Sequence, residues 1–195
     1  MMQGGTAMKK FLSLFTQSAA ELKKLRSLTG IAMLVALNVA LSFATIPIGS
    51  TMKISISFLA IAIMGMLYGP VAAGMGAALG DILSYLLTPG NSMGAYFFGF
   101  TLTAFLGGIV YGIAFYSCKV SVPRVIIAKA AVNLLLNLLL NTFWIFILYG
   151  KAVGIVEIFS RIFKNLLMLP LEIAALFIIL KAITKLIQQK KVTIV

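Results

Sequence analysis

The sequence predicts an all-α integral membrane protein with six transmembrane helices and with both termini in the cytoplasm. The chain has 195 residues, of which 62% are apolar and 10% are charged. Ordinary soluble domains carry about 25% charged residues. Six spans of ~20 mostly apolar residues each would use nearly all of the apolar residues present. A soluble fold, a disordered chain and a disulfide-rich secreted domain are therefore poor matches.

Residues 1–28 are predicted to be a cytoplasmic segment rather than a span. Five basic residues accompany a weak apolar stripe there. This pattern is typical of an amphipathic helix on the inner membrane surface, and a disordered tail is the alternative. A cleaved signal peptide is disfavoured, because the apolar run Phe11–Phe15 is shorter than the about 7–15 residues that such a region needs. Residues 188–195 are predicted to form a second cytoplasmic tail.

Six apolar segments make up the membrane domain, which the sequence places at residues 29–187. The connections between them are short, as in a compact helical bundle. The segments run from Thr29 to Ile46, Ile54 to Leu67, Val71 to Leu87, Phe97 to Tyr116, Arg124 to Leu148 and Phe159 to Leu186.

The basic residues predict the orientation of these segments. With the N-terminus inside, 12 of the 16 Lys and Arg residues fall on the inner side, as the positive-inside rule requires. The net charge of +12 is therefore an orientation signal, and no nucleic-acid partner is expected. The other four suggest either an anionic ligand or side chains that reach lipid phosphates; they are Lys53, Lys151, Arg161 and Lys164.

Polar residues inside the spans indicate a wet cavity or a helix interface. Asp81, in the third segment, needs a partner, which is either a basic residue or the donor edge of a ligand. Asn133, Asn137 and Asn141 recur at steps of four in the fifth segment, and Trp144 follows. This spacing predicts one helix face. The face would bind a ligand with many donors and acceptors, or join helices.

Further candidate ligand-binding residues lie at the predicted outer ends of the spans. One face of the sixth segment carries Arg161, Lys164 and Asn165. Aromatic side chains gather near the same depth, where they would form an interfacial belt or stack on a flat ligand; they are Tyr96, Phe97, Phe100, Trp144 and Tyr149.

Several classes of function are excluded by what the sequence lacks. It has no His and one Cys, which excludes Ser–His hydrolysis, His-ligated metal sites and an internal disulfide. No phosphate-loop motif is present, so the chain should not hydrolyse ATP itself. An enzyme acting on lipids is disfavoured because no acid–base set is visible, and neither a metal nor a cofactor is expected.

A stripe of small residues marks the first span. It consists of Ala32, Ala36, Ala40 and Ala44, at steps of four. Small residues at this spacing let another helix approach closely. That helix belongs either to the same bundle or to a separate membrane protein.

Short motifs throughout the membrane domain carry a family resemblance. They are Gly65–Pro70, Gly80–Leu86, Gly99–Phe105, Leu140–Trp144, Leu148–Ala152 and Arg161–Asn165, with Pro170 after the last. Together with six spans and an alanine stripe, they resemble the substrate-binding S components of energy-coupling factor (ECF) transporters, which are bacterial vitamin importers. The motifs are similar to the folate-specific branch over about Leu28 to Ile187, with a departure at Phe98 where that branch has proline.

The resemblance implies a function in the bacterial cell membrane. Such a chain binds folate from outside and docks, through its alanine face, onto a membrane coupling protein (the T component) that is attached to two ATPase subunits. It then delivers the vitamin inward. The alternatives are the same fold with another vitamin or precursor, such as riboflavin, thiamine or a deazapurine, or a structural subunit that binds no small molecule.

The resemblance also implies roles for the candidate residues. Lys151, Arg161 and Lys164 suit the folate carboxylates. The aromatic side chains suit the flat rings of folate; they are Trp144, Tyr96, Phe97 and Phe100, with Tyr149 beside them. The donor–acceptor edge of the pterin suits Asp81, Asn141 and Asn165. The first outer loop, from Pro47 through Gly49 to Lys53, would act as a lid.

Overall fold

The computed structural model describes residues 3–48, 52–87, 96–149 and 155–192. These residues are mostly helical, as predicted. It divides into two compact units, residues 1–117 and 118–195. The elements of the first unit are α1 (Gln3–Glu21), α2 (Leu25–Phe43), β1 (Ile46–Ile48), β2 (Met52–Ile54), α3 (Phe58–Leu87) and α4 (Phe98–Phe115). Those of the second are α5 (Val122–Ala131), a π-helical segment (Val132–Leu140), α6 (Asn141–Tyr149) and α7 (Ile155–Val192).

Helix α3 folds back on itself at the Gly69–Pro70 pair that the sequence predicts as a turn. Gly69 has φ +85° and ψ −175°, a conformation that favours glycine. In a straight helix, Met64 and Gly76 would be about 18 Å apart. Here the Met64 sulfur fills the space where a Gly76 side chain would stand. The two arms of α3 therefore lie side by side.

Ser18 of α1 forms hydrogen bonds with the backbone of this turn. The Ser18 hydroxyl accepts hydrogen bonds from the N–H groups of Val71 (3.0 Å) and Ala72 (3.1 Å) and donates one to the Tyr68 carbonyl (2.7 Å). A turn inside a helix frees such backbone groups, and leaving them buried and unpaired is costly. Helix α1 thus packs against the turn of α3.

One hydrophobic cluster of the first unit lies between α2 and α3. Ile31 and Val35 of α2 pack against Met64, Ala72 and Ala73 of α3. Since Ile31 and Val35 are four residues apart, they share the buried face of α2.

Helix α4 runs antiparallel to the second arm of α3. Gly108 adjoins Ala73 near one end of the pair, and Thr101 bonds Asp81 near the other. This packing brings the start of α4 beside the polar residues of α3.

The predicted first outer loop includes two short paired strands that the sequence analysis did not predict. Strands β1 and β2 pair antiparallel, with Pro47 opposite Lys53. Helix α2 ends at Phe43, before the predicted end at Ile46, because the Ile46-Pro47-Ile48 run favours extended backbone. Gly49 lies outside the described residues.

The fifth predicted span is one helical run with an unexpected π-helical middle. The nine residues Val132–Leu140 have π geometry, whose backbone bonds run from i to i+5. Such segments are rare and are often found at functional sites. The helix face predicted from steps of four is therefore altered along this stretch.

Five helical stretches among the described residues are long and apolar enough to cross a membrane. They are Leu25–Phe43, Phe58–Leu87, Phe98–Phe115, Val122–Leu148 and Ile162–Gln189. The count is one below the six predicted segments, because the second and third of those are the two arms of α3.

Candidate functional site

The first group of predicted site residues lies where α3 meets the start of α4. Thr101 donates a hydrogen bond of 2.7 Å to a carboxylate oxygen of Asp81. The Thr101 hydroxyl is also 2.8 Å from the Tyr96 hydroxyl. The rings of Tyr85 and Tyr96 are 5.3 Å apart. Asp81 is thus half-buried and bonded to a hydroxyl group, and the sequence did not indicate that partner.

An aromatic pair adjoins this group in the sequence. The rings of Phe97 and Phe100 lie edge to face with centroids 5.9 Å apart, a favoured arrangement. Both side chains are half-buried. The structure therefore brings Asp81, Tyr96 and Thr101 together, and it pairs Phe97 with Phe100 at the start of α4.

The second group of predicted residues lies in the second unit, on α6 and α7. The side-chain amide oxygen of Asn141 and the Thr142 hydroxyl are buried, and neither has a hydrogen-bond partner among the described residues. Buried polar atoms without partners are uncommon and call for an explanation. Trp144 packs against Phe143, with ring centroids 5.1 Å apart. The start of α6 thus presents an amide oxygen, a hydroxyl group and an indole ring within four residues.

Three further predicted residues belong to α7 or follow α6. Lys164 and Asn165 are half-buried. Arg161 lies on α7 and Tyr149 ends α6, but their side chains are outside the described part of the structure, and so is the whole of Lys151.

A buried ionic network crosses between α5, the π-helical segment and α7. The Lys129 ammonium lies 3.4 Å from a Glu172 carboxylate oxygen. Asn133 donates a 2.7 Å bond to the same oxygen, and Asn137 donates a 3.1 Å bond to Asn133. Lys129 is only 2% exposed. Asn133 and Asn137 are therefore occupied with partners inside the protein.

This network pairs one of the basic residues that the sequence predicts on the inner side and adds one residue to the polar set. The ammonium of Lys129 is paired with the carboxylate of Glu172. Sequence reasoning missed Glu172, although a carboxylate within an apolar segment is a signal that could have identified it.

The alanine stripe faces away from the core of the first unit. Ala32, Ala36, Ala40 and Ala44 are all exposed, whereas the opposite face of α2 packs on α3. Packing within this unit, one of the two predicted roles of the stripe, therefore does not occupy it.

An ion pair and a hydrogen bond lie where α1 is followed by α2. Glu21 lies 2.6 Å from the Lys24 ammonium and accepts a 2.5 Å hydrogen bond from Ser27. Both contacts, that of Lys24 first, lower the pKa of the Glu21 carboxyl. These contacts join the end of α1 to the start of α2.

Comparison with known proteins agrees with the resemblance. Residues 26–186 match the family described as ECF transporter, substrate-specific component. The folate transporter FolT of Clostridium novyi (strain NT) is 41% identical over 125 residues, which are 64% of this chain and 70% of that protein. FolT of Leuconostoc mesenteroides subsp. mesenteroides is 31% identical over 156 residues, which are 77% and 82% of the two chains.

A solved structure is similar over most of its length. The crystal structure of FolT bound with folic acid has a TM-score of 0.71 and 32% sequence identity to this chain. The match covers 78% of this chain and 90% of the other.

Proposed function

Because this chain belongs to the substrate-specific components of ECF transporters, we propose that it binds folate outside the cell and delivers it inward after docking to a coupling module. The chain is then a multi-pass membrane protein of the bacterial cell membrane. As a substrate-specific component, it is a transport subunit rather than an enzyme.

The observation that carries the folate assignment is the likeness to FolT bound with folic acid. The two curated folate transporters support the same ligand. The similarity covers the stretches that hold the candidate ligand residues, since the family match extends from residue 26 to residue 186. Folate is therefore favoured over riboflavin, thiamine or a deazapurine.

The proposed topology has six spans and cytoplasmic termini. It counts the two arms of α3 as separate crossings, because Met64 and Gly76 adjoin across the Gly69 turn. Ser18 of α1 contacts that turn, and so does Tyr116 at the end of α4. Grouping the N-terminal helix, the turn and the end of α4 on one side agrees with the inner location that the basic residues favour.

The candidate residues of each unit are proposed folate contacts. In the first unit, the Asp81 carboxylate accepts hydrogen bonds from the pterin edge, and Tyr96, Phe97 and Phe100 stack on flat rings. In the second unit, Asn141, Trp144, Tyr149 and Asn165 contact rings and polar edges, and Lys151, Arg161 and Lys164 bind the glutamate carboxylates. The unpartnered oxygen atoms of Asn141 and Thr142 support this role for the start of α6.

The exposed alanine face of α2 is the proposed docking surface for the membrane-embedded coupling protein, which is joined to two ATPase subunits. Four small side chains in a row allow close approach of another helix. The segment from Pro47 through Gly49 to Lys53, of which β1 and β2 supply the two described ends, is the proposed lid over the bound vitamin.

Ligand identity is the most direct test of this function. The full chain is purified from its own cells in detergent, and the small molecules that remain bound are identified by mass spectrometry. We expect a folate. Recovery of a vitamin that has no carboxylate would contradict the assignment and would favour another ligand for the same family.

A fluorescence titration tests binding independently. Trp144 is the single Trp of the chain, so folate that stacks near it should quench the emission. A Trp144→Phe variant is the matched control, since its residual signal should not change. If radiolabelled folate also fails to bind the purified wild-type chain, the function proposed here is wrong.

A further inference from the structure

Two successive hydrogen bonds connect a tyrosine at the protein surface to Asp81. Thr101, which is 4% exposed, stands between Tyr96, which is 42% exposed, and Asp81. The two oxygen–oxygen distances are 2.8 Å and 2.7 Å. The two bonds therefore run from an exposed phenol through a buried hydroxyl to a half-buried carboxylate.

The direction of these two bonds follows from the number of protons available. An ionised carboxylate only accepts hydrogen bonds, and a threonine hydroxyl has one proton to donate. Thr101 uses that proton on Asp81, so the bond between Tyr96 and Thr101 must have the Tyr96 hydroxyl as its donor. Successive bonds in one direction polarise and strengthen each other.

The same geometry restricts the orientation of the carboxylate. Thr101 is β-branched and helical, and its side chain has few rotamers. Tyr96 is held in turn by its ring contact with Tyr85. A carboxylate that receives two parallel N–H donors must present both oxygens in a defined plane. The pyrimidine edge of a pterin carries two such neighbouring N–H groups.

We propose that Thr101, supported by Tyr96, is a positioning residue that orients Asp81 for the paired N–H groups of the pterin, and so determines selectivity for the pterin part of the ligand. This inference rests on the proposed folate function. Thr101 acts on the ligand through Asp81, and it governs the pterin subsite without affecting the binding of the glutamate carboxylates.

The test compares variants with ligand fragments. The full chain in detergent is titrated with folate, with pteroate, which lacks the glutamate, and with p-aminobenzoylglutamate, which lacks the pterin. Fragment affinities are measured by competition against radiolabelled folate. Thr101→Val removes the hydroxyl with little change of shape. It should weaken folate and pteroate about tenfold or more, as expected for a lost bond to a charged group.

Three further variants separate positioning from folding. Thr101→Ser keeps the hydroxyl and should restore folate affinity to near the wild-type value. Tyr96→Phe keeps the ring beside Tyr85 and should weaken folate by a smaller factor. Thr103→Val is the matched control, because Thr103 is a buried residue of the same helix whose hydroxyl bonds the Gly99 carbonyl. It should leave all three affinities unchanged.

The outcomes distinguish this inference from the proposed function. Selective weakening of folate and pteroate, with unchanged affinity for p-aminobenzoylglutamate, supports the positioning role. Equal weakening of all three ligands, a matching loss in Thr103→Val, or no rescue by Thr101→Ser overturns it while the folate function stands. A wild-type chain that binds no folate overturns both. If Thr101→Val does not fold, the exposed Tyr96→Phe variant decides by the same selectivity criterion.

Discussion

Replacing either Lys129 or Glu172 alone should strongly lower the free energy of unfolding of the protein. Their charges are 3.4 Å apart inside apolar helical stretches, and Asn133 bonds the same carboxylate oxygen. Removing one partner of a buried pair leaves an uncompensated charge, whereas replacing both by apolar residues is often tolerated. A variant that lacks one of the two charges should therefore be less stable than a variant that lacks both.

Glu172→Met should lower the free energy of unfolding by about 3–5 kcal/mol. The double variant Lys129→Met/Glu172→Met should recover most of that loss. Unfolding of the purified chain in detergent measures both. Lys24→Gln is the control, because Lys24 is the exposed member of a surface ion pair and its replacement should change stability little. Equal stability of the single and double variants would show that the Lys129 charge has another partner.

The sequence indicated these residues only in part. Asn133, Asn137 and Asp81 are conspicuous because amide and carboxyl groups are rare at membrane depth. Their partners were not predictable in the same way. Glu172 bonds a residue 39 positions away, and Thr101 bonds one 20 positions away. Such pairings depend on how whole helices pack, and local spacing carries no information about them.

At the scale of elements, the turn in α3 depends on a residue from another helix. Ser18→Ala would leave the N–H groups of Val71 and Ala72 buried without a partner. It should therefore lower the free energy of unfolding by about 1–3 kcal/mol. Thr16→Ala is the control on the same helix, since the exposed Thr16 hydroxyl bonds only the carbonyl of Leu12 among the contacts described. A Ser18→Ala variant as stable as the control would mean that water or a shift of α1 replaces the hydrogen bonds of Ser18.

The alanine face of α2 makes a second prediction at this scale. Ala36→Trp should abolish folate uptake in cells that express the whole transporter, because the large ring blocks close approach of the coupling protein. Folate binding by the isolated chain should not change. Leu37→Trp, at the next and also exposed position, lies about 100° around the helix and should retain uptake. Retained uptake by Ala36→Trp would contradict the docking role.

The elements differ in how well the sequence predicted them. Tyr68-Gly69-Pro70 is a strong turn signal, because glycine adopts positive φ and proline lacks an N–H group. The π-helical segment gave no such signal, since Val132–Leu140 reads as an ordinary apolar helix. The paired strands β1 and β2 were missed because Ile46 and Ile54 are as suited to the end of a span as to a short strand.

For the whole molecule, the orientation in the membrane rests on fewer charges than the sequence suggested. Lys129 is paired inside the second unit, so it is a weak topology signal. The other basic residues that are predicted on the inner side still outnumber the four predicted on the outer side. The turn at Gly69 adds an independent argument, because Ser18, Gly69 and Tyr116 meet at one end of the first unit. An inner N-terminus therefore implies an inner end for α4.

The single cysteine tests this orientation without any substitution. Cys118 is exposed and follows α4 directly, so the proposed topology puts its thiol on the cytoplasmic side. A membrane-impermeant maleimide should leave the thiol unlabelled in protoplasts. It should label the thiol in inside-out membrane vesicles. A Cys118→Ser/Asn91→Cys variant should give the opposite pattern, since residue 91 falls in a predicted outer loop. Labelling of native Cys118 from outside would reverse the inferred orientation of the whole first unit.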